Sequence, residues 1–141
     1  MRRLIGFIAL ALFLGLAPAQ AQQPQLPTIT PPPGVKATPL VTDAEVTGVP
    51  GKVFVLLTAE FAPNGGTTGR HMHPGDEYGT VVEGTIVTQQ AGGEWKTVNT
   101  GQSYYVPAWV VHETKNTGDK PARTYNAFII EKGKPRVIPA Q

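Results

Sequence analysis

The strongest constraint on the fold of this chain is its punctuation. Downstream of residue 50, apolar runs close after about ten residues or fewer, in turn chemistry built from Gly, Pro, Asn and Asp. The runs themselves are rich in Val, Thr and Ile, which suit the pleated, half-buried surface of a strand. With 16 glycines and 14 prolines among 141 residues, long helices are disfavoured. No stretch beyond the N-terminal segment shows the 3.6-residue apolar period of a helix. Short strands at this spacing predict an all-β sandwich or closed barrel.

The strand pattern starts with a short strand or arm over 35–41 and becomes definite at Lys52–Phe61, where Val53, Val55, Leu57, Ala59 and Phe61 share one face. The middle of that run is apolar on both faces, as in a strand buried on both sides or covered by a partner subunit. Pro63, Asn64, Gly65 and Gly66 then turn the chain. Further strands are expected over 78–89 (broken at Glu83 and Gly84), 94–97, 102–106, 110–115 and 123–131, with an edge strand over 135–138.

The N-terminus reads differently. Residues 1–21 have the layout of a signal peptide: Arg2 and Arg3, an apolar run over 4–16, and a small-residue end at Ala19-Gln20-Ala21. The apolar run is shorter than the roughly 20 residues that span a bilayer, so cleavage after Ala21 is expected and no membrane association after it. No polar Ser/Thr stretch precedes the paired arginines, which makes them a weak twin-arginine signal. Residues 22–34 carry prolines 24, 27, 31, 32 and 33 and read as an extended Pro-rich linker ahead of one domain over 35–141. The expected location is periplasmic or secreted.

Charge and cysteine content exclude several function classes. The 12 basic residues fall to 10 once Arg2 and Arg3 leave, matching the 10 acidic ones, and no basic cluster remains to bind nucleic acid. With no cysteine, neither a disulfide nor a thiol nucleophile is available. Ser103 is the only serine and lacks the Gly-x-Ser-x-Gly elbow of a serine hydrolase. Any catalysis would fall to a metal.

The metal-type residues are concentrated. His71-x-His73-x-x-x-Glu77 places two imidazoles and a carboxylate within seven residues, and the third and last histidine, His112, lies in a second patterned stretch. Residues two apart on a strand point the same way, so His71 and His73 aim at one point while Met72 faces away. A turn at Pro74-Gly75-Asp76 would bring Glu77 back over the same face. Three imidazole nitrogens and a carboxylate suit Mn, Fe, Co, Ni, Cu or Zn, without selecting among them.

The two stretches read Gly65-x5-His71-x-His73-x3-Glu77-x6-Gly84 and Gly101-x5-Pro107-x4-His112-x3-Asn116. Both spacings resemble the two motifs of the cupin superfamily. The resemblance implies a double-stranded β-helix or jelly-roll barrel, with His71, His73, Glu77 and His112 as the four ligands of a divalent transition metal. It implies shape-determining turns at Gly84, Gly101, Pro107 and Asn116, and, with the doubly apolar strand, a homodimer. One position departs from the family: Trp109 stands where the second motif usually has glycine, which bears on the local backbone and on the width of the pocket mouth.

Weaker candidates surround this set. Asp76 and Glu83 are possible acids or bases that read better as solvated surface carboxylates. Tyr104, Tyr105, Trp109, Tyr125 and Phe128 are pocket or core aromatics, of which Tyr104 and Tyr105 must face opposite ways. Arg70 would pair with an anionic substrate, Glu77 or Asp76. The expectation is an exported metal-dependent enzyme of dioxygenase, oxidase, decarboxylase or isomerase type, acting on a small oxygen-bearing organic ligand. The alternatives are a non-catalytic small-molecule or metal-binding module, and a structural barrel that associates with another exported protein.

Overall fold

The computed structural model describes residues 34–141; the expected signal peptide and nearly all of the Pro-rich linker lie outside the described residues. The chain forms β1 (Val35–Glu45), β2 (Lys52–Phe61), β3 (His71–Met72), β4 (Gly75–Glu83), β5 (Thr85–Gln90), β6 (Lys96–Asn99), β7 (Ser103–Val106), β8 (His112–Lys115), β9 (Ala122–Glu131) and β10 (Ile138–Pro139). They make two five-stranded sheets, ordered β1-β2-β9-β4-β7 and β10-β3-β8-β5-β6. All pairings are antiparallel. This is the all-β jelly-roll architecture expected from the sequence.

Most connections carry the chain from one sheet to the other, and turn chemistry sits at those corners. Gly84, at φ 75°, passes β4 into β5, and a Cβ there would meet the Pro121 carbonyl at 2.8 Å. Buried Pro74 passes β3 into β4. The core fills the space between the sheets with Val53, Val55, Leu57 and Phe61 of β2, Val81 of β4, Ile86 of β5 and Phe128 and Ile130 of β9. Burial along β2 alternates residue by residue, which confirms the inward set named from the sequence.

The differences from the expected strands are local. β1 runs on to Glu45, ten residues beyond its start, because bulges around Val41 let it keep pairing with β2. The strand expected over 94–97 is shifted to Lys96–Asn99, β8 begins at His112 and not at 110, and the last strand is Ile138–Pro139. In each case the partner strand sets the limits, which propensity cannot supply. The turn expected at Pro74-Gly75-Asp76 is tighter: the bend is at His73 and Pro74, and Gly75 already pairs with Ile130 in the opposite sheet.

That pairing is close. A Cβ on Gly75 would lie 2.0 Å from the Ile129 carbonyl oxygen and 2.6 Å from the Ile130 Cα, both backbone atoms that cannot step aside. Gly75→Ala should therefore lower stability by about 2–3 kcal/mol, the upper part of the overpacking range. Gly92→Ala, at φ 70° with nothing within 4 Å, should cost only about 1 kcal/mol of backbone strain. Urea unfolding of the two variants checks the contrast.

Candidate metal centre

The four candidate ligands come from three places in the barrel. His71 on β3 and His112 on β8 are directly paired across one sheet. His73 stands at the corner after β3, and Glu77 reaches in from β4 of the other sheet. All four are buried, and their ligand atoms lie within 4.8 Å of one another. The imidazole rings form a triangle with centroids 4.2 Å (His71–His112), 4.8 Å (His71–His73) and 5.0 Å (His73–His112) apart.

The backbone fixes which nitrogen faces inward. Nδ1 of His71 lies 2.9 Å from the Gly69 carbonyl, Nδ1 of His73 lies 2.5 Å from that of Arg136, and Nδ1 of His112 lies 3.0 Å from that of Val110. A carbonyl oxygen only accepts, so each Nδ1 carries the proton and donates it. In the neutral ring Nε2 is then a bare lone pair. Yet Nε2 of His73 and of His112 sit 3.1 Å and 3.0 Å from Glu77 Oε2, itself an acceptor. Lone pairs held this close, out of water, call for a cation or a shared proton between them. This donor set fits a transition-metal ion, and His71, His73, Glu77 and His112 are the residues that can hold one.

Electrostatics lean the same way. Burial, followed by the charges of His112 and His73, pulls the His71 pKa down to about 4, which keeps that ring neutral and able to ligate. Burial works to raise the Glu77 carboxyl, but a positive charge shared with His112 and His73 outweighs it and holds the group ionised, well below the usual carboxylate range. Tyr104 moves the opposite way. Burial and then the negative charge of Glu77 push its hydroxyl well above its ordinary value, so it stays a proton donor.

A polar row that the sequence reading did not assign supports Glu77. Tyr104, Gly79 and Asn126 are register partners on β7, β4 and β9. A Cβ on Gly79 would fall 2.1 Å from Tyr104 Cζ, so the glycine is what lets the tyrosine ring lie across β4. The Tyr104 hydroxyl thereby reaches Glu77 Oε1 at 3.3 Å, and Asn126 Nδ2 donates to both that oxygen and the tyrosine oxygen at 2.7 Å. Thr124 Oγ1 in turn donates to Asn126 Oδ1. The available signal was inward parity: Thr124 and Asn126 share the β9 face of Phe128 and Ile130.

Other candidates fall away from the centre. Asp76 Oδ1 accepts from the Tyr105 hydroxyl and the Ala108 N–H, and Glu83 faces Arg123 at 3.5 Å. Arg70 is exposed and forms no ion pair among the described residues. Ser103 is exposed and bonded to Thr80. Tyr105, Tyr125 and Trp109 are exposed, while Tyr104 and Phe128 line the central cavity. Trp109 takes φ 65°, the left-handed conformation a glycine would adopt freely, and its N–H donates to the His73 carbonyl at 2.8 Å. Its ring lies outside the cavity lining, beside Lys134, and does not narrow the cavity.

Removing Asn126 would leave a buried carboxylate oxygen short of its best donor. Asn126→Ala should lower stability by about 1–3 kcal/mol, and Tyr104→Phe, which deletes both the longer bond to Glu77 and the acceptor for one Asn126 N–H, by about 1–2 kcal/mol. Chemical denaturation of the purified proteins measures both.

Comparison with known proteins agrees with this construction. The model of the Cupin domain family matches residues 57–133, which include all four candidate ligands. The HTH-type transcriptional regulator PuuR of Escherichia coli K12 is 32% identical over 80 residues, covering 57% of this chain and 43% of the regulator. The chain therefore spans under half the length of the curated relatives it matches. Among solved structures, an oxalate oxidase in complex with glycolate superposes with a TM-score of 0.61 at 25% identity, over 77% of this chain and 56% of that one. The polyketide cyclase RemF from Streptomyces resistomycificus gives 0.60 at 21%, over 77% and 74%. An RmlC-like cupin from Shewanella frigidimarina gives 0.56 at 21%, over 71% and 79%. The family match, covering more than half of the chain and both histidine-bearing stretches, makes this protein a member of the cupin family.

Proposed function

We propose that the chain is an exported metal-dependent cupin enzyme acting on a small oxygen-bearing organic molecule, with His71, His73, Glu77 and His112 as the metal ligands. The observation that carries this reading is the convergence of three Nε2 lone pairs and one carboxylate at the wall of a cavity of about 380 Å³. That volume is at the small-molecule end of the range for ligand sites. The relative solved with glycolate, a small oxygen-bearing acid, supports a ligand of this kind.

A metal held by four protein ligands supplies Lewis-acid polarisation of a bound oxygen and, if redox-active, O2 chemistry. The chain's own residues do the rest. The backbone carbonyls of Gly69, Arg136 and Val110 hold the imidazoles in one tautomer, and Asn126 and Tyr104 hold the carboxylate. Tyr104, kept protonated, directs its one hydroxyl proton to Glu77 and presents its ring at the cavity wall. Apolar side chains of β1 and β2 line the opposite side and exclude water, which strengthens each polar contact inside.

Alanine at His71, His73 or His112 should each strip most of the metal from protein purified from its native compartment, whereas Asp76→Ala should leave metal content unchanged. Elemental analysis decides this, and full stoichiometry in His112→Ala would refute the four-ligand centre. Oxygen uptake with catechols, flavonols and oxalate then tests for turnover. Metal retained without turnover on any substrate supports the non-catalytic binding module instead.

The assembly we propose is a homodimer through the outer face of the β1-β2-β9-β4-β7 sheet. Register partners Val41, Leu56, Ala127, Tyr78 and Tyr105 form one apolar row across all five strands, flanked by Phe54 paired with Ile129. Tyr78 and Tyr105 are each 47% exposed, with Tyr125 close behind at 45%. A continuous apolar band on a sheet face favours a second copy of the same face. Light scattering should give a dimer mass, and Leu56→Glu should convert it to monomer; a monomer for the unmodified chain would sink the assembly.

A further inference from the structure

The cavity has two unlike walls. One is the histidine and glutamate cluster; the other is apolar, with Val35, Leu57, Phe61 and Val137 along it. Set between them is Arg136, the one Lys or Arg side chain lining the cavity. Its guanidinium carbon stands 5.8 Å from the Phe128 ring centroid, and that ring packs 4.8 Å from the His73 ring. Because the Arg136 carbonyl is the acceptor for His73 Nδ1, the residue is tied to the cluster through its own backbone.

The guanidinium is half-buried, and among the described residues it forms no ion pair. Burial pulls its pKa down, with the charges of Glu77 and Asp43 opposing, yet an arginine remains charged at any ordinary pH. A cation taken partly out of water without a partner is costly. Its planar fork of N–H donors matches a carboxylate in particular. The hydrocarbon lining would be wasted on a ligand that is polar throughout, and Arg136 is the one cationic side chain on the cavity to meet a negative charge.

We propose that this cavity takes a small organic monoanion with an apolar body, its carboxylate paired with Arg136 and its hydrocarbon part lying along Val35, Leu57, Phe61 and Val137. The inference deepens the proposed function by naming a ligand class for the same cavity, and it rests on that reading only in placing the ligand beside a metal.

The test is calorimetric titration of the full-length purified protein with hexanoate and with its neutral analogue hexanamide, for the unmodified chain, Arg136→Gln and Arg136→Lys, with metal content measured on the same samples. Hexanoate should bind the unmodified chain about tenfold or more tighter than hexanamide, a difference of about 1.4 kcal/mol. Arg136→Gln should abolish the preference while leaving hexanamide affinity within about twofold, and Arg136→Lys should keep part of it. Equal hexanoate affinity in the unmodified and Gln proteins, or no hexanoate binding to the unmodified chain, overturns the proposal. Should the Gln variant fail to fold by circular dichroism, absence of any hexanoate preference in the unmodified chain overturns it alone. Metal present with no effect of Arg136→Gln would sink this inference and spare the metal centre. An Arg136-dependent preference in protein without metal would do the reverse.

Discussion

Three imidazoles whose outer nitrogens are committed to backbone carbonyls leave their inner lone pairs facing a buried carboxylate. Much of this molecule's architecture follows from that arrangement. Nitrogen and oxygen lone pairs about 3 Å apart in a dry interior repel unless a positive charge lies between them. The barrel holds the four groups together only because strands from both sheets, and the corner that joins them, are rigid enough to resist. The carbonyls of Gly69, Arg136 and Val110 belong to three separate connecting segments, so the orientation of each ring is set by loops that other strands pin in place.

Two glycines show how the backbone serves the centre. Gly75 lets β4 press against β9 directly after the Pro74 corner, which puts Glu77 two residues later on the inward face. Gly79 gives up its own side chain so that Tyr104 can cross β4 and meet Asn126 beside Glu77. Trp109 does the converse. It takes up a left-handed backbone that suits glycine, keeps the N–H bond to the His73 carbonyl, and sends its ring outward. The conformation at that turn is what the centre needs, and the side chain there is a surface matter.

The same sheet serves two purposes on its two faces. Inward residues of β2, β4 and β9 build the cavity and the support for Glu77, while outward residues at alternate positions build the apolar band. A strand apolar on both faces, as β2 is in its middle, is the linear trace of that double duty. Arg136 closes the cavity from a segment outside the main strands, placing a charge where an all-apolar wall would otherwise face the cluster.

The strand pattern, the inward face of β2 and the identity of the four clustered residues were legible in the sequence. Alternation with a period of two and turn residues at the strand ends are local properties, and the spacing of His71, His73 and Glu77 is likewise written in one short segment. Strand ends were misplaced by two residues or so at β6 and β8 because hydrogen-bonded partners, and not local preference, end a strand. Only the tertiary structure decided that Glu77 arrives from the opposite sheet, that His71 and His112 are direct register partners, and that Thr124, Asn126 and Tyr104 form a polar row inside the barrel. Nor does the sequence place Arg136 on the cavity, 59 positions from Glu77 along the chain yet near enough in space to feel its charge. These are contacts between residues far apart in the chain, and they exist only once the two sheets have closed on each other.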